Sequence, residues 1–181
     1  AKNGLYAALW LTDAEGRNAK QLTPADAVDF NPVFSPDGEF IAFDSDRSGR
    51  SEIWRVRLDG SDLTQITGDG NNTNPSFLAD GQTIVYRHDE TKDASLRRIS
   101  LNGGDAAVLS ASGCLSPRSS PNGEFVACGR RIGGQNMVAI VSASTGEQLK
   151  QFPVPPTFNL DLGGIRWTPD GHFVCYRDWT H

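Results

Sequence analysis

Four segments of the chain share one order of apolar and polar residues. Each segment opens with a short apolar stretch, turns at Pro-Asp-Gly or a close variant, and continues with β-branched and aromatic residues. This order predicts two antiparallel strands joined by a tight turn. The four copies are NPVFSPDGEFIAF from Asn31, NPSFLADGQTIVY from Asn74, SPRSSPNGEFVAC from Ser116 and GIRWTPDGHFVCY from Gly164.

A second pair of strands follows the first pair in each full unit. Residues 52–58 alternate between apolar and polar side chains, a turn follows at Asp59-Gly60, and a short strand covers 63–67. The same second half recurs around Asn102-Gly103 and Thr145-Gly146. With a repeat of about 43 residues, the pattern predicts an all-β fold, a β-propeller of four-stranded antiparallel blades.

The ends of the chain carry two complementary half-units. The chain starts with a second half, 5–23, and stops after a first half, 165–176. We expect a single propeller domain or propeller fragment over 1–181, in which pairing of the halves protects strand edges that otherwise promote aggregation. Its units are three full ones at about 31–73, 74–115 and 116–163, and a mixed one that joins 164–181 to 1–30.

Composition and charge narrow the class of partner. The chain has 181 residues, 22% of them charged, and a net charge of -5, so we expect neither nucleic acid nor an anionic membrane as a partner. The longest apolar stretches, such as 5–11, are far shorter than the roughly 20 residues that span a bilayer, so we expect no direct membrane insertion. No targeting signal is visible and the first residue is Ala1, so we expect a processed or excised chain.

Candidate catalytic and metal-binding groups are scattered along the sequence. The three cysteines are too few for a disulfide framework, and their odd number leaves at least one thiol free unless two chains are bonded. The three histidines share no metal-site spacing, and no G-x-S-x-G elbow is present. The segment 44–49 resembles the start of a calcium loop, but Arg55 stands where the closing Glu belongs. We expect a tight turn there, no metal, no cofactor, no catalytic residue and therefore no enzyme.

The repeat resembles that of the TolB-type, WD-repeat-like propellers. Their blades carry x-P-x-F/W-S-P-D-G-x-x-I/V-A-F/Y, then S-D-R-x-G, a strand, and D-G-x-x-x-x-L-T. The first full unit reads NPVFSPDGEFIAFDSDRSGRSEIWRVRLDGSDLTQIT. The third unit departs from the pattern, with Ser119 in place of the first aromatic residue and Cys128 in place of the second. The resemblance covers nearly the whole chain.

The resemblance implies a binding function without catalysis. Such propellers occur as the periplasmic TolB protein, as non-catalytic domains of serine peptidases, and as extracytoplasmic sensor regions of bacterial receptor kinases and membrane-bound regulators. The segment 145–171 is most similar to the last group. This implies a periplasmic or extracytoplasmic propeller that binds or senses a protein, a peptide or another ligand. The alternative is an accessory, substrate-gating propeller domain of a serine peptidase or other hydrolase.

The resemblance also bears on assembly. Propellers of this type usually have six or more blades, and their interblade wedges fit rings wider than four blades. Two chains that form one eight-bladed ring would pair the half-units in trans with two-fold symmetry. We therefore expect self-association as a homodimer, with closure within one chain as the alternative.

One candidate binding site lies at the start of the repeated first strand. If that strand lines the propeller axis, Arg118 and Arg166 lie near the central channel and meet an acidic ligand. Asn31 and Asn74 open the same strand in the first two units and complete this candidate set. The alternative for each arginine is an ion pair with an acid of a neighbouring blade.

A second candidate is the proline-rich connection 151–164. Phe158 and Leu160 in it are expected to be exposed anchors for a peptide or partner, with simple packing over the channel mouth as the alternative. The repeated aromatic residues Phe34, Phe77 and Trp167 are expected to be buried between blades. Truncation of Phe34 or Trp167 to Ala is then expected to cost about 3–5 kcal/mol.

Overall fold

The computed structural model describes residues 6–89, 94–110, 113–158 and 164–177. Regular secondary structure in these ranges consists of strands, and a helix suited to crossing a membrane is not among the described elements. The strands are β1 (Trp10–Leu11), β2 (Lys20–Gln21), β3 (Asp29–Phe34), β4 (Phe40–Ser45), β5 (Glu52–Arg57), β6 (Thr64–Gln65), β7 (Asn72–Phe77), β8 (Thr83–Asp89), β9 (Ala94–Ser100), β10 (Ala107–Ser110), β11 (Leu115–Ser119), β12 (Phe125–Ile132), β13 (Gln135–Ser142), β14 (Gln148–Pro153), β15 (Arg166–Trp167) and β16 (Val174–Cys175).

Three four-stranded sheets form three blades. Blade 1 contains β3 to β6, blade 2 contains β7 to β10, and blade 3 contains β11 to β14. Within each sheet the strands are antiparallel and neighbours in the chain are neighbours in the sheet. The predicted all-β propeller of four-stranded antiparallel blades is therefore confirmed.

The turn between the first two strands of a blade is held by its own side chains. In blade 1 the Asp37 carboxylate accepts a hydrogen bond from the Ser35 hydroxyl, and Ser35 Oγ in turn accepts one from the Phe40 amide at 3.0 Å. Blade 3 builds the same pattern from Ser120 and Asn122. The repeated Ser-Pro-Asp-Gly sequence thus produces the same hydrogen bonds in each of these turns. Its short polar side chains bond to the backbone amides of the turn itself.

The first strand of each blade bends at a bulge. In blade 1 the pairing of β3 with β4 shifts between Phe30 and Val33, and β7 and β11 shift at the equivalent place. Asn31, Asn74 and Ser116 lie in these bulges with φ values of 50°, 56° and 50°. Asn tolerates this left-handed conformation better than most residues, and the proline that follows suits a bulge because it donates no ladder hydrogen bond. The bulge redirects the side chain that follows the proline.

The joint between blades 1 and 2 is a closed apolar core. Phe40, Ile53 and Ile66 from blade 1 pack with Phe77 and Tyr86 from blade 2, and all five are buried. A second cluster joins blades 2 and 3 in the same way. Removal of this apolar surface from water is the main stabilising contribution to the stacking of the blades.

The two terminal half-units form separate two-stranded sheets, β1–β2 and β15–β16. The β1–β2 sheet packs on blade 1 through Leu9, Leu11 and Leu22. The β15–β16 sheet packs on blade 3 through Trp167 and Val174. In the part of the chain that the structure describes, the two sheets share no ladder. The mixed unit that joins 164–181 to 1–30 stays a prediction. Pairing of the halves across two chains stays a prediction.

The expectation that Phe34 is buried between blades is wrong. Phe34 is 59% exposed, whereas Phe77 at the equivalent position is 8% exposed. Phe77 packs against blade 1, but Phe34 faces the place of a preceding inner half-blade, which no described residue fills. Trp167 is half-buried and stacks on Phe125 with ring centroids 6.3 Å apart.

The cysteines divide into one pair and one free thiol. Cys114 and Cys128 form a disulfide, and both are fully buried in the joint between blades 2 and 3. Cys175 on β16 is exposed and free, as the odd number of cysteines predicts. Cys128, which replaces the second aromatic residue of the motif, therefore fills the joint as half of a disulfide.

Candidate functional site

The first strand of each blade lies on the inner edge of its sheet. β3 contacts β7, β7 contacts β11, and β11 contacts β15. The Ser119 amide donates to Ser76 Oγ at 3.0 Å, and Trp167 Nε1 donates to the carbonyl of Arg118 at 2.9 Å. The blades are therefore arranged with their first strands around one axis. The residue after the bulge proline, or after its counterpart Ile165, is in chain order Val33, Ser76, Arg118 and Arg166.

Arg118 and Arg166 occupy equivalent positions on the adjacent strands β11 and β15. Each guanidinium donates a hydrogen bond of 2.8 Å to the carbonyl of the residue before it, Pro117 or Ile165. Arg118 is half-buried and Arg166 is exposed. Arg118 makes no contact ion pair with the residues that the structure describes, so for Arg118 the alternative of an ion pair with a neighbouring blade is not realised.

Asp44, on β4, is the acid of this region. Its Oδ1 atom accepts hydrogen bonds from Asn31 Nδ2 at 2.9 Å and from the backbone amide of Asn74 at 3.0 Å. Asn31 belongs to β3 and Asn74 to β7, so one buried carboxylate oxygen links the bulges of blades 1 and 2.

The charge of Arg118 interacts with Asp44 on one strand and with Arg166 on another. Burial raises the pKa of Asp44 from 3.8 to about 6, although the hydrogen bonds from Asn31 and Asn74 and the charge of Arg118 oppose the rise. Burial, and after it the positive charge of Arg166, lower the pKa of Arg118 to about 10, whereas Asp44 acts in the opposite sense. Arg118 keeps its proton at neutral pH, so two arginine cations lie close to each other at the axis.

The two asparagines of the candidate set shape the site. Asn74 is buried, and its Nδ2 donates to Thr73 Oγ1 at 3.3 Å. Asn31 is exposed, and its side-chain amide donates to Asp44. Of the five candidate residues, Asn31 and Asn74 therefore bond to Asp44, Arg118 lies close enough to lower the pKa of Asp44, and Arg166 acts on Arg118.

Phe158 does not belong to this surface. It is 2% exposed and packs in the core cluster that contains Val154 and Ile165. Its ring meets Tyr176 edge-on at 5.4 Å between centroids. The expectation of an exposed anchor is therefore wrong for Phe158, because the proline-rich connection folds this ring against blade 3. Leu160 lies outside the described residues.

Asp44 is the residue of this site that sequence reasoning missed. In the sequence it stands out only as the first acid of the calcium-like segment 44–49. The signal that identifies it is its place in the repeat, because the residue after the second aromatic position is charged in three of the four copies, as Asp44, Arg87 and Arg177. A charge that recurs beside apolar positions indicates a polar surface shared by the repeats, and not a charged residue that belongs to one turn alone.

The calcium-like segment is a turn. The Gly49 amide donates to the Asp46 carbonyl at 2.8 Å, and the Asp46 carboxylate accepts from the Val28 amide at 2.9 Å. Within the described ranges no group of three or more His, Cys, Asp or Glu side chains is placed to hold a metal ion. Among the described residues, the axial site contains arginine cations, asparagine amides and the Asp44 carboxylate, and its two arginines suit the binding of an anion.

Comparison with known proteins identifies the architecture at the level of a family. The TolB beta propeller domain, PD40, matches residues 1–156. The Tol-Pal system protein TolB of Bordetella pertussis is 45% identical over 47 residues, which are 26% of this chain and 11% of that protein. This chain therefore matches only a small part of that relative's length.

Two solved structures support the family match. The crystal structure of TolB from Acinetobacter baumannii has a TM-score of 0.71 at 25% identity and covers 85% of this chain and 39% of that chain. The structure of putative TolB from Agrobacterium tumefaciens has a TM-score of 0.73 at 23% identity, covers 96% of this chain and 66% of that chain, and shows the fold alone. Because the family match covers most of the sequence and the structure contains its four-stranded blades, the chain belongs to the TolB beta propeller domain family.

Proposed function

We propose that this chain is a non-catalytic TolB-type propeller that binds a protein or peptide partner through a carboxylate-bearing segment at the axis. The observation that carries the proposal is the pair of guanidinium groups, Arg118 and Arg166, on equivalent positions of adjacent inner strands, close enough for each charge to act on the other. The partner's carboxylate supplies the negative charge that the two arginines share.

The physical basis is the cost of holding two arginine charges at the axis. Burial, and after it the like charge of Arg166, disfavour the charged form of Arg118. An anion bound between them relieves this repulsion and forms charge-assisted hydrogen bonds with planar donors. The hydrogen bonds to the Pro117 and Ile165 carbonyls hold both side chains in place before binding, which reduces the entropy lost on association.

The role of Asp44 in this proposal is to position the site. Its carboxylate already accepts hydrogen bonds from Asn31 and Asn74, and it is buried. Asp44 therefore fixes the two bulges. Because its carboxylate is itself a negative charge near Arg118, it also limits the affinity of Arg118 for an external carboxylate. The site binds and does not catalyse, because its groups are cations and amides around an engaged acid.

The axial site is tested by titration of fluorescein-labelled oligoglutamate peptides, with oligoglutamine peptides of the same length for comparison. We expect oligoglutamate to bind with an affinity that falls as salt rises. Arg118→Gln and Arg166→Gln should each weaken binding about tenfold or more, because each removes a charge-assisted hydrogen bond.

The matched control is Arg57→Gln, since Arg57 is an exposed arginine on an outer strand that pairs with Glu39. Its affinity for oligoglutamate should equal that of the unchanged chain. Equal binding of oligoglutamine, or unchanged affinity after substitution of both axial arginines, would contradict the proposal.

The proposal places the chain outside the cytoplasm, as a binding or sensor domain. Its support is the Cys114–Cys128 disulfide, since such bonds persist in oxidising compartments, and the similarity to a Tol-Pal system protein. Chain exported to the bacterial periplasm should show one reactive thiol, Cys175, under denaturing conditions. Three reactive thiols in that material would contradict the extracytoplasmic location.

A further inference from the structure

Buried polar side chains lie beside the apolar core of each joint and form its polar layer. In the joint between blades 1 and 2, the Glu52 carboxylate accepts a hydrogen bond from Thr67 Oγ1 at 2.6 Å and one from Asn72 Nδ2 at 2.7 Å. Where the β1–β2 hairpin meets blade 1, the Asp29 carboxylate accepts one from Thr23 Oγ1 at 2.6 Å. Both polar layers therefore contain a buried carboxylate that accepts a threonine hydroxyl.

The polar layer between blades 2 and 3 contains a cation instead. Arg130 on β12 occupies the repeat position that His88 occupies on β8, and it is 5% exposed. The repeat positions of Glu52, Thr67 and Asn72 are taken by neutral residues, which are in that order Ser95, Ser110 and the disulfide-bonded Cys114. Among the described residues, this layer therefore has an arginine and no acid.

The side-chain hydrogen bonds of Arg130 go to neutral groups. Its Nη1 atom donates to Gln148 Oε1 on β14, and its Nη2 atom donates to Ser110 Oγ at 3.3 Å. Its Nε atom is buried and has no hydrogen-bond partner in the part of the chain that the structure describes. Burial lowers the pKa of Arg130 below its ordinary value of 12.5. The charge of this guanidinium is thus taken out of water without a counter-ion.

Other arginines with little exposed side-chain surface have an acid partner. The side chains of Arg47, Arg55 and Arg97 are 9%, 13% and 15% exposed. Their ion pairs with Asp29, Asp62 and Asp69 have N–O distances of 2.7, 3.1 and 2.5 Å. Because a buried charge without a partner is unfavourable, the absence of an acid beside Arg130 in the described ranges indicates that a negative charge from outside the chain belongs there.

The size of the neighbouring side chains limits the size of that group. Ser95 is shorter than Glu52, and Ser110 lacks the methyl group of Thr67. The buried Ser95 Oγ atom also has no hydrogen-bond partner within the described ranges. The layer has therefore lost little more volume than a carboxylate occupies, and a closely packed joint admits only a small group in its place.

We propose that the polar layer between blades 2 and 3 binds a small monovalent anion, of which chloride is the simplest, as the counter-ion of Arg130. One guanidinium requires one negative charge, and its unused Nε–H group is a donor for the anion. Ser110 Oγ accepts from Arg130, so its hydroxyl hydrogen can point to the same anion. The anion would then join a cation of blade 3 to a hydroxyl of blade 2 and strengthen the joint.

This site is separate from the axial pair of arginines. Arg130 bonds to β10 and β14, which are the outermost strands of blades 2 and 3. Arg118 and Arg166 lie on the inner strands β11 and β15. Failure of the anion site would therefore leave the proposed function of the axial site unaffected.

The proposal is tested by thermal unfolding over a chloride series at constant ionic strength, with the bulkier methanesulfonate as the balancing anion. A ligand that binds the folded state alone raises Tm. We expect Tm to rise by about 4 °C at a chloride concentration about tenfold above Kd. Bromide should act like chloride. Equal Tm values in chloride and methanesulfonate would overturn the proposal.

Two substitutions assign the effect to Arg130. Arg130→Gln should remove the dependence of Tm on chloride. Gln148→Glu, at an exposed position, places a carboxylate where Arg130 already donates its hydrogen bond. It should weaken chloride binding about tenfold or more and raise Tm in methanesulfonate, because the ion pair then forms within the chain. The matched control is Arg131→Gln, at an exposed neighbouring arginine that bonds to Asn136, and it should keep the full response to chloride.

The line width of the chloride NMR signal measures binding without reference to stability. We expect the unchanged chain to broaden this signal, bromide to reverse the broadening, and Arg130→Gln to abolish it. A chain with both Arg118→Gln and Arg166→Gln should still broaden the signal. If that double variant loses the broadening while Arg130→Gln keeps it, chloride binds at the axis and the proposal fails.

Discussion

The joint between blades 1 and 2 and the two ends of the blade row are made from the same motif, yet they differ in exposure. Phe40 and Phe77 are buried in the closed joint, while their counterparts Phe173 and Phe34 are mostly exposed. The motif supplies an apolar ring at a fixed place, and the neighbouring blade decides whether that ring is buried. Exposure of a repeated aromatic residue therefore reports on assembly and not on the fold of its own blade.

The closed joint also contains a polar layer. The buried Glu52 carboxylate accepts hydrogen bonds from Thr67 Oγ1 at 2.6 Å and from Asn72 Nδ2 at 2.7 Å, and His88 Nδ1 lies 2.7 Å from Asn72 Oδ1. A buried network whose members are satisfied rigidifies the contact between two blades. The terminal hairpins have shorter ladders, so we expect their attachment to be weaker than the contact between complete blades.

The largest expected difference in unfolding free energy is between alanine substitutions of two equivalent phenylalanines, Phe77 and Phe34. Phe77→Ala should cost about 3–5 kcal/mol of unfolding free energy, because it leaves a cavity in the closed joint. Phe34→Ala, measured by urea unfolding at low chain concentration, should cost less than about 1 kcal/mol, because that ring is already in water. The cost of Phe34→Ala should rise with concentration if a second copy covers it. Equal costs at low concentration would contradict the comparison.

The next effect concerns an ion pair within blade 1, whose acid Asp29 also accepts a hydrogen bond from Thr23 of the N-terminal half-blade. Arg47 donates to both carboxylate oxygens of Asp29, at 2.7 and 2.9 Å, and the Asp29 side chain is fully buried. Asp29→Ala should cost about 3 kcal/mol, because it leaves a buried guanidinium without its main partner. Glu39→Ala, which breaks the exposed pair with Arg57, is the control and should cost less than about 1 kcal/mol in urea unfolding.

A pH titration tests the acid that links the bulges of the closed joint. Asp44 holds its proton up to about pH 6 in the folded chain, because burial raises its pKa from 3.8. The folded state thus binds more protons than the unfolded state between about pH 4 and 6, and stability falls as pH rises through that window. Asp44→Asn should remove this fall and raise stability at pH 7 by about 2 kcal/mol.

The control for that titration is Asp37→Asn. Asp37 is exposed, and a hydrogen bond from Ser35 lowers its pKa, so its substitution should not remove the loss of stability between pH 4 and 6. Urea unfolding at pH 4, 5, 6 and 7 gives both profiles. If Asp44→Asn were less stable than the unchanged chain at pH 7, the charge of Arg118 would outweigh burial at this site.

The blades were predictable from the sequence because their signals are local. The turn residues Ser35 and Asp37 satisfy the turn by themselves, and the alternation along 52–58 specifies a half-buried strand. The position of Arg118 and Arg166 after the bulge was predictable for the same reason, since the repeat aligns them.

Other features were not predictable because they depend on contacts between distant segments. The exposure of Phe34 depends on whether a half-blade covers it, and the pairing of Cys114 with Cys128 depends on how β11 packs on β12. Phe158 is buried because its connection returns to blade 3, which no local pattern specifies. Asp44 gains its role from a hydrogen bond to Asn74 in the next blade.

The smallest expected effect is at the attachment of the C-terminal half-blade. Trp167 is half-buried, stacks on Phe125, and donates to the Arg118 carbonyl. Trp167→Ala should therefore cost about 1–2 kcal/mol, less than a fully buried aromatic residue, since part of its surface is already in water. The loss should be local: hydrogen exchange at 165–176 should speed up while exchange in blade 2 stays unchanged. Trp167→Phe, which keeps the stack and loses only the indole hydrogen bond, should show a smaller change. Faster exchange throughout blades 1 to 3 would show instead that the hairpin is as tightly coupled as the closed joint.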